Sequence, residues 1–253
     1  MAPGSILQHM YLKKRLKAKG YRYFCEIGSG EGLLSRLMLN SGMQGIGYDL
    51  NPAACDYNAN LNKDYIDAGQ YQVVHGNFFD QQHTQKYDII LSCMVIEHLA
   101  PEQVHSYFDT CRQHLSDSGR IIVYVPASMT YWGIEDEIAG HYKRYEFADF
   151  EGIAQQHQLA ISDLSGLTYP LSNWLFALSN RLIKKQEGHK LALSMQEQTV
   201  ESGHREVKFK TTFPPVFGLV LNRLTMTPFY WLQRAYKKHR HSMVIYCELA
   251  HSR

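Results

Sequence analysis

Short apolar runs alternate with stretches of helical periodicity over the first 165 or so residues. RYFCEI (22–27), QGIGYDL (44–50), QVVHG (72–76), YDIILSC (87–93), GRIIVYVP (119–126) and LAISDLSG (159–166) have the length of strands and their β-branched and aromatic content. YDIILSC is apolar almost throughout, as a strand covered on both faces should be. Helical periodicity fills the gaps. One helix is predicted from about Gly30 to Asn40. A second starts at Asn51-Pro52, with Asn51 as cap and Pro52 in the first turn, and runs to about Asp67. A third runs from Pro101 to about Leu115 and a fourth from Phe147 to His157. SMVIYCELA (242–250) alternates and predicts a last strand. Residues 1–20 predict an amphipathic helix whose apolar face carries Ile6, Leu7, Met10 and Tyr11 and extends toward Lys14.

Repeated strand–helix units predict a Rossmann-like, doubly wound α/β sheet with helices on both faces. Ligands of such sheets bind beyond the carboxyl ends of the strands, so the residues that follow strands one to four are the ones to inspect. Residues 167–241 break the rhythm. TYPLSNWLFALSNRLIKK is apolar and helical, EGHKLALSMQEQTVESGHREVKFK is polar and loop-like, and TTFPPVFGLVLNRLTMTPFYWLQRAYKKHRH is aromatic, with Pro214-Pro215 as a breaker. This region is expected to be a helical insertion before the last strand, folded over the ligand-binding edge of a single domain spanning 1–253. Neither apolar piece reaches the roughly 20 uninterrupted apolar residues of a membrane span.

The composition adds limits. Hydrophobic residues make up 45% of the chain and the formal net charge is +2, so no global basic excess points to nucleic acid. The five cysteines, Cys25, Cys55, Cys93, Cys111 and Cys247, are scattered and form no Cys-x-x-Cys, which argues against disulfides and structural zinc. The first twenty residues lack a long apolar core and a small-residue cleavage site; a reduced, cytoplasmic setting is the expectation.

Candidate chemistry begins at CEIGSGEGLLSRLM (25–38), where Glu26, Gly28, Gly30 and Gly32 occupy alternate positions around Ser29. The ATPase-type phosphate loop, with its Gly-Lys-Ser/Thr ending, is absent. The dinucleotide fingerprint fails too: its third glycine comes one residue early, and Leu33 stands where close packing asks for a small residue. Asp49, about 21 residues beyond Gly28 and followed by Leu50, sits where an acid can accept both hydroxyls of a ribose. Asn77 and Phe78 in HGNFFD can hydrogen-bond and stack on an adenine, or can form a turn with core aromatics. Ser92 and Cys93 end strand four, where backbone faces a pocket.

Together EIGSGEG, YDLNP, GNFFD, YDIILSCMVIEHL and GRIIVYVP resemble the class I S-adenosylmethionine-dependent methyltransferases over about residues 20–165 and the final strand. Asn77 stands where that family more often has Asp. The resemblance implies a seven-stranded sheet of order 3-2-1-4-5-7-6 with strand seven antiparallel. It implies S-adenosylmethionine as methyl donor and S-adenosylhomocysteine as product. It implies that Glu26 orients the loop or the amino-acid end of the cofactor, that Gly28 and Gly30 let backbone approach the methionine part, that Asp49 holds the ribose, and that Asn77 and Phe78 hold the adenine. Ser29, Leu50, Ser92 and Cys93 fall in the same motifs and are expected at the cofactor. A nicotinamide-type ligand is the competing reading, disfavoured by the glycine spacing and by Ile-Glu-His-Leu (96–99).

Methyl transfer from a sulfonium is an in-line displacement governed by positioning, and a base is needed only if the acceptor must lose a proton. His98 in VIEHL and His141 in GHYKRYEF are the candidates; each could instead fix a loop or a helix start. Tyr131, Trp132, Glu135, Arg144 and Tyr145 are expected to border the acceptor. Some relatives bind a divalent metal through Glu-x-x-Glu-His. Here Met94 stands at the first acid position, and no required metal is expected. His239 and His241 lie in a basic tail. The predicted activity is O- or N-methylation of a small, apolar or aromatic acceptor in biosynthesis, with no nucleic-acid partner. A lipid-linked or macromolecular substrate, and a non-catalytic subunit of the same fold, are the alternatives. Residues 213–241 join an aromatic surface to a basic cluster, which suits a lid, a homodimer face or a peripheral membrane contact.

Overall fold

The computed structural model describes residues 1–17, 19–81, 83, 85–202 and 213–252. Seven strands form one sheet: β1 (Tyr23–Ile27), β2 (Gln44–Asp49), β3 (Tyr71–His75), β4 (Tyr87–Cys93), β5 (Leu115–Pro126), β6 (Leu159–Leu167) and β7 (Val244–His251). Their order is β3-β2-β1-β4-β5-β7-β6. The first five pair in parallel, and β7 runs antiparallel to both β5 and β6. This is the fold, the strand order and the reversed seventh strand expected from the sequence.

The helices are α1 (Pro3–Leu16), α2 (Leu33–Leu39), α3 (Pro52–Leu61), α4 (Lys63–Asp67), α5 (Pro101–His114), α6 (Ile134–Ala139), α7 (Phe147–Gln156), α8 (Leu171–Glu187), α9 (Met195–Ser202) and α10 (Arg223–Ala235). Each sheet face carries its own core. On one face, Cys25, Ile90, Ile121 and Val123 pack under Tyr107 and Phe108 of α5 and Phe150 of α7. On the other, Phe24, Ile89, Leu91 and Tyr124 pack under α1, α2 and α10. Phe108 and Phe150 are fully buried, so truncating either to Ala costs about 3–5 kcal/mol. Strand β7, between β5 and β6, is tied to α1 and the residues after it by a buried carboxylate. Glu248 on β7 accepts from Arg15 and Lys19 and from the Tyr246 hydroxyl at 2.9 Å.

Several boundaries differ from the sequence pattern for local reasons. α2 begins at Leu33, three residues later than expected, because Gly28, Gly30 and Gly32 all hold left-handed backbone, with φ of 70°, 49° and 79°. The helix expected from Pro52 to Asp67 is interrupted at Asn62. The Asn62 amide turns inward and donates to the Gly32 carbonyl and to Asn58, clamping the glycine loop from below. Lys14 lies outside the buried face of α1; Leu12 and Leu16 complete that face. The insertion before β7 forms α8, α9 and α10, so part of its polar stretch is helical; residues 203–212 lie outside the described ones. Among the described residues, no helix is long and apolar enough to cross a membrane.

The glycine clamp makes a direct prediction. A Cβ at Gly32 would meet Asn58 Oδ1 at 2.1 Å on a backbone with φ of 79°. Gly32→Ala should lower the unfolding free energy by more than about 2 kcal/mol. Gly42→Ala, with equally positive φ but open space around it, should cost only about 1–2 kcal/mol. Urea unfolding of the two variants checks this; equal losses would mean that the clamp carries no weight.

Candidate active site

A cavity of about 1920 Å³ opens at the carboxyl ends of the parallel strands. It is about twice the upper size of ordinary small-molecule pockets, so it has room for two ligands. At one end it is lined by Gly28, Gly30, Asp49, Leu50, Asn77, Phe78 and Cys93. Asp49 ties two crossovers together: Oδ2 accepts the Gly30 N–H at 2.7 Å and Oδ1 accepts the Asn51 N–H at 2.8 Å. Burial nonetheless raises its carboxyl above the usual range.

The other loop residues expected at the cofactor separate into two layers. Gly28 and Gly30 face the cavity, and a Cβ on Gly28 would strike Val95 Cγ2 at 2.5 Å. Glu26, Ser29 and Ser92 are buried and do not line the cavity. Glu26 accepts from the Ser35 hydroxyl, which in turn accepts from Tyr71 at 2.8 Å. Neither role expected for Glu26 is visible in its contacts, which run to Ser35 of α2; burial pushes its carboxyl up to about 8. Ser29 Oγ accepts from Asn58 and Ser92 Oγ from Tyr107, so both hydroxyls support the framework. Asn77 Oδ1 caps the turn Phe78–Asp80 by accepting the Phe79 N–H. Phe78 reaches the cavity, but one ring face lies 4.0 Å from His83 and its surroundings are aromatic. It is a floor residue rather than a platform open on both faces.

The opposite end joins three segments distant in sequence. Met94, after β4, has left-handed backbone at φ 58° and its N–H bonds Tyr124. The turn that follows presents Glu97 and His98. The Tyr142 N–H donates to the Glu97 carbonyl at 2.7 Å and brings the His141 loop alongside. The His98 and His141 rings lie edge to face, 4.6 Å between centroids. α9 of the insertion adds Thr199, whose hydroxyl is 3.4 Å from His98 Nδ1.

Asp136 organises this end and was not singled out in the sequence. It is fully buried at the start of α6, a helix bounded by Gly133 and Gly140. Its Oδ1 accepts from His141 Nδ1 at 2.8 Å and from Arg144 Nε at 2.9 Å, and its Oδ2 from the Gly133 N–H. Burial opposes its charge, but the hydrogen bonds from His141 and Arg144 outweigh that and hold its carboxyl below the usual range. The available sequence signal was the Gly-x-x-Asp spacing of a helix start, 133 to 136.

Glu97 is the site's least satisfied group. Both carboxyl oxygens are buried without a side-chain or neighbouring hydrogen-bond partner among the described residues. Burial raises its carboxyl to about 8, with the nearby Asp136 adding to the rise, against the opposing effects of its own backbone N–H and of Arg144. One oxygen of Glu97 and one ring nitrogen each of His98 and His141 lie within 4.8 Å of one another. The expectation of no metal rested on Met94; the fold instead brings His141 in from a distant loop as a third donor-type side chain.

Glu135 and Arg144 line the cavity as expected of acceptor-side residues. Tyr131, Trp132 and Tyr145 do not. Tyr131 packs edge-on against Phe176, and Tyr145 donates to the Ile96 carbonyl while packing on Phe150. These aromatics position the walls. The apolar wall itself comes from the insertion, through Phe176, Leu182, Phe213, Phe217 and Leu221.

The buried Glu97 predicts a pH dependence. Below its ordinary value of 4.5 the group is protonated in both states and contributes no slope. Between 4.5 and about 8 the unfolded chain loses a proton that the folded chain keeps, so stability falls as pH rises through this window and then levels off. Glu97→Gln should make the decline in unfolding free energy from pH 5 to 8 shallower by about 1 kcal/mol per pH unit. Unfolding at three pH values measures it; an unchanged slope would mean that Glu97 ionises normally.

Among curated proteins none matches the chain. Solved structures share its fold at low identity. Magnesium protoporphyrin IX methyltransferase (ChlM) from Synechocystis PCC 6803 with bound SAH superposes with a TM-score of 0.55 and 17% identity, covering 65% of this chain and 77% of that one. Mitomycin 7-O-methyltransferase MmcR gives 0.53 and 15%, covering 64% and 50%; this chain thus spans about half the length of that relative. A S-adenosylmethionine-dependent methyltransferase from Clostridium acetobutylicum ATCC 824 gives 0.51 and 14%, covering 66% and 84%. The family model described as a methyltransferase domain matches residues 7–164, more than half of the sequence, and with the sheet order and the glycine loop already in place the chain belongs to the methyltransferase-domain family.

Proposed function

We propose that this chain is a S-adenosylmethionine-dependent methyltransferase that methylates an oxygen or nitrogen of a small acceptor with an apolar or aromatic body. One observation carries the reading: the glycine loop with Asp49 and the His98–His141 pair line a single cavity. Gly28 and Gly30 leave the loop backbone bare of side chains, Asp49 keeps lone pairs for a ribose, and Asn77 offers an amide at the same end. These features fit an adenosyl ligand. When bound, S-adenosylmethionine supplies an electrophilic methyl group on a sulfonium.

The chain's own residues place the acceptor and take its proton. Asp136, held ionised, can only accept hydrogen bonds, so His141 Nδ1 carries the hydrogen. In the neutral ring Nε2 then keeps its lone pair, and it is the atom that removes the acceptor's O–H or N–H proton as the new bond to carbon forms. His98, against the His141 ring, orients the acceptor. Arg144 shares Asp136 and holds the loop in register. The apolar wall from the insertion excludes water and selects the acceptor's body. This wall favours a small apolar acceptor over a macromolecule.

Calorimetric titration with S-adenosylmethionine and S-adenosylhomocysteine tests the donor side. Binding is expected, with Asp49→Ala weakening it by about ten-fold or more; no binding of either compound would end the proposal. On the acceptor side, transfer of labelled methyl to a panel of aromatic and apolar hydroxyls and amines should fall by about 10²–10⁴ in His141→Ala, with donor affinity kept. Turnover should survive exhaustive chelation. Loss on chelation and recovery with zinc would instead assign Glu97, His98 and His141 to a cation.

A further inference from the structure

Most exposed large apolar side chains among the described residues belong to the insertion, and they are not scattered. Helix α10 is amphipathic twice over. Met226, Tyr230 and Gln233 are buried on one side. Leu224, Pro228, Trp231 and Ala235, spaced i, i+4, i+7 and i+11, are exposed along the opposite side. Leu224 is 83% exposed and Trp231 58%. The preceding turn, Pro215–Leu219, adds Val216 and Leu219, the latter 77% exposed. A soluble surface has no use for such a run.

This apolar surface is continuous with the cavity. Leu175, Leu178, Phe217 and Val220 are all exposed to solvent and all line the cavity, so they form its rim. The helices around the rim are strongly basic. Lys13 and Lys14 on α1, Arg181 and Lys184 on α8, and Arg223 and Arg234 on α10 stand against a single acid on these three helices, Glu187, which is buried and paired with Lys190. The whole chain carries a net charge of only +2, so the cations are concentrated here. Lys14 and Arg234 flank Trp231, at 5.7 and 5.0 Å from a ring centroid. An aromatic with two cations beside it suits the headgroup layer of a membrane, where the ring sits at the acyl boundary and the charges meet phosphates.

We infer that the rim formed by α8, the 215–219 turn and α10 docks on an anionic lipid surface, presenting the cavity mouth to the bilayer. Leu219, Leu224 and Trp231 enter the headgroup layer, and the cations of α1, α8 and α10 contact lipid phosphates. Docking itself does not depend on the proposed methyl transfer. Given that reading, it implies that the acceptor reaches the cavity from the membrane and bears an apolar tail.

Co-sedimentation of the full chain with phosphatidylcholine vesicles, with and without phosphatidylglycerol, tests the inference. Binding should require phosphatidylglycerol and weaken by roughly ten-fold or more at high salt. The combined variant Leu219→Glu, Leu224→Glu, Trp231→Glu should lose binding; these side chains are exposed and do not line the cavity, so its affinity for S-adenosylmethionine should equal that of the parent. Lys13→Glu with Lys14→Glu should weaken binding without abolishing the response to lipid. Tryptophan quenching by bromine-labelled lipid should be seen in the parent and lost in the triple variant. Absence of binding to phosphatidylglycerol vesicles, or equal binding by the triple variant, would overturn the inference. So would a dimer in sedimentation velocity that Leu224→Glu dissociates in a chain that ignores vesicles. Failure of vesicle binding with S-adenosylmethionine binding intact leaves the enzymatic reading standing, and the reverse result separates the two in the other direction.

Discussion

The site depends on one carboxylate that joins two crossovers. Asp49 ends β2 and accepts backbone N–H groups from Gly30, in the turn after β1, and from Asn51, which begins α3. The glycine loop has left-handed backbone at three alternate residues and cannot hold itself by regular hydrogen bonding. Asp49 fixes it from one side, and Asn58 and Asn62 fix it from beneath through Ser29 and the Gly32 carbonyl. The loop is thus rigid, and its cavity-facing side is bare backbone.

The opposite end of the cavity is arranged at a cost. Met94, not a glycine, holds left-handed backbone, a conformation worth about 1–3 kcal/mol of strain. Among the described residues no neighbour satisfies the buried Glu97 carboxyl oxygens, and Asp136 carries a charge in the interior. Such costs persist where the surrounding packing over-determines them and function retains them. Here the packing comes from two fully formed cores on either sheet face, which leaves stability available for an unfavourable pocket. The insertion completes the arrangement by supplying the apolar wall and by setting α9 against His98.

The sheet was legible because its signals are local. Most of the strands are short runs rich in β-branched and aromatic residues, and Asn51-Pro52 marks a helix start wherever the chain goes next. That Asp49 and the glycine loop share one pocket was legible too, since both sit directly after strands; the bond from the Gly30 N–H to Asp49 was not. What the sequence concealed was mostly a matter of which side a residue faces. Glu26, Ser29 and Ser92 lie within the motifs but turn away from the cavity, toward Ser35, Asn58 and Tyr107. Tyr131 and Tyr145 lie in the right segment but pack into its walls, and Trp132 does not line the cavity. Asp136 was hidden because its importance comes from His141 and Arg144, five and eight residues on, folding back over a short helix. The break at Asn62 was concealed for the same kind of reason: a tertiary hydrogen bond to Gly32 overrides local helix propensity.

The central claim is that an adenosyl ligand seats on the bare loop between Gly28 and Gly32 with its sugar against Asp49. Amide hydrogen exchange with and without S-adenosylhomocysteine reads this directly, because the relevant groups are backbone N–H. Slowed exchange should be confined to residues 28–32, 49–51 and 77–80, with the outer face of α10 unchanged. Protection elsewhere with these three segments unaffected would contradict the account.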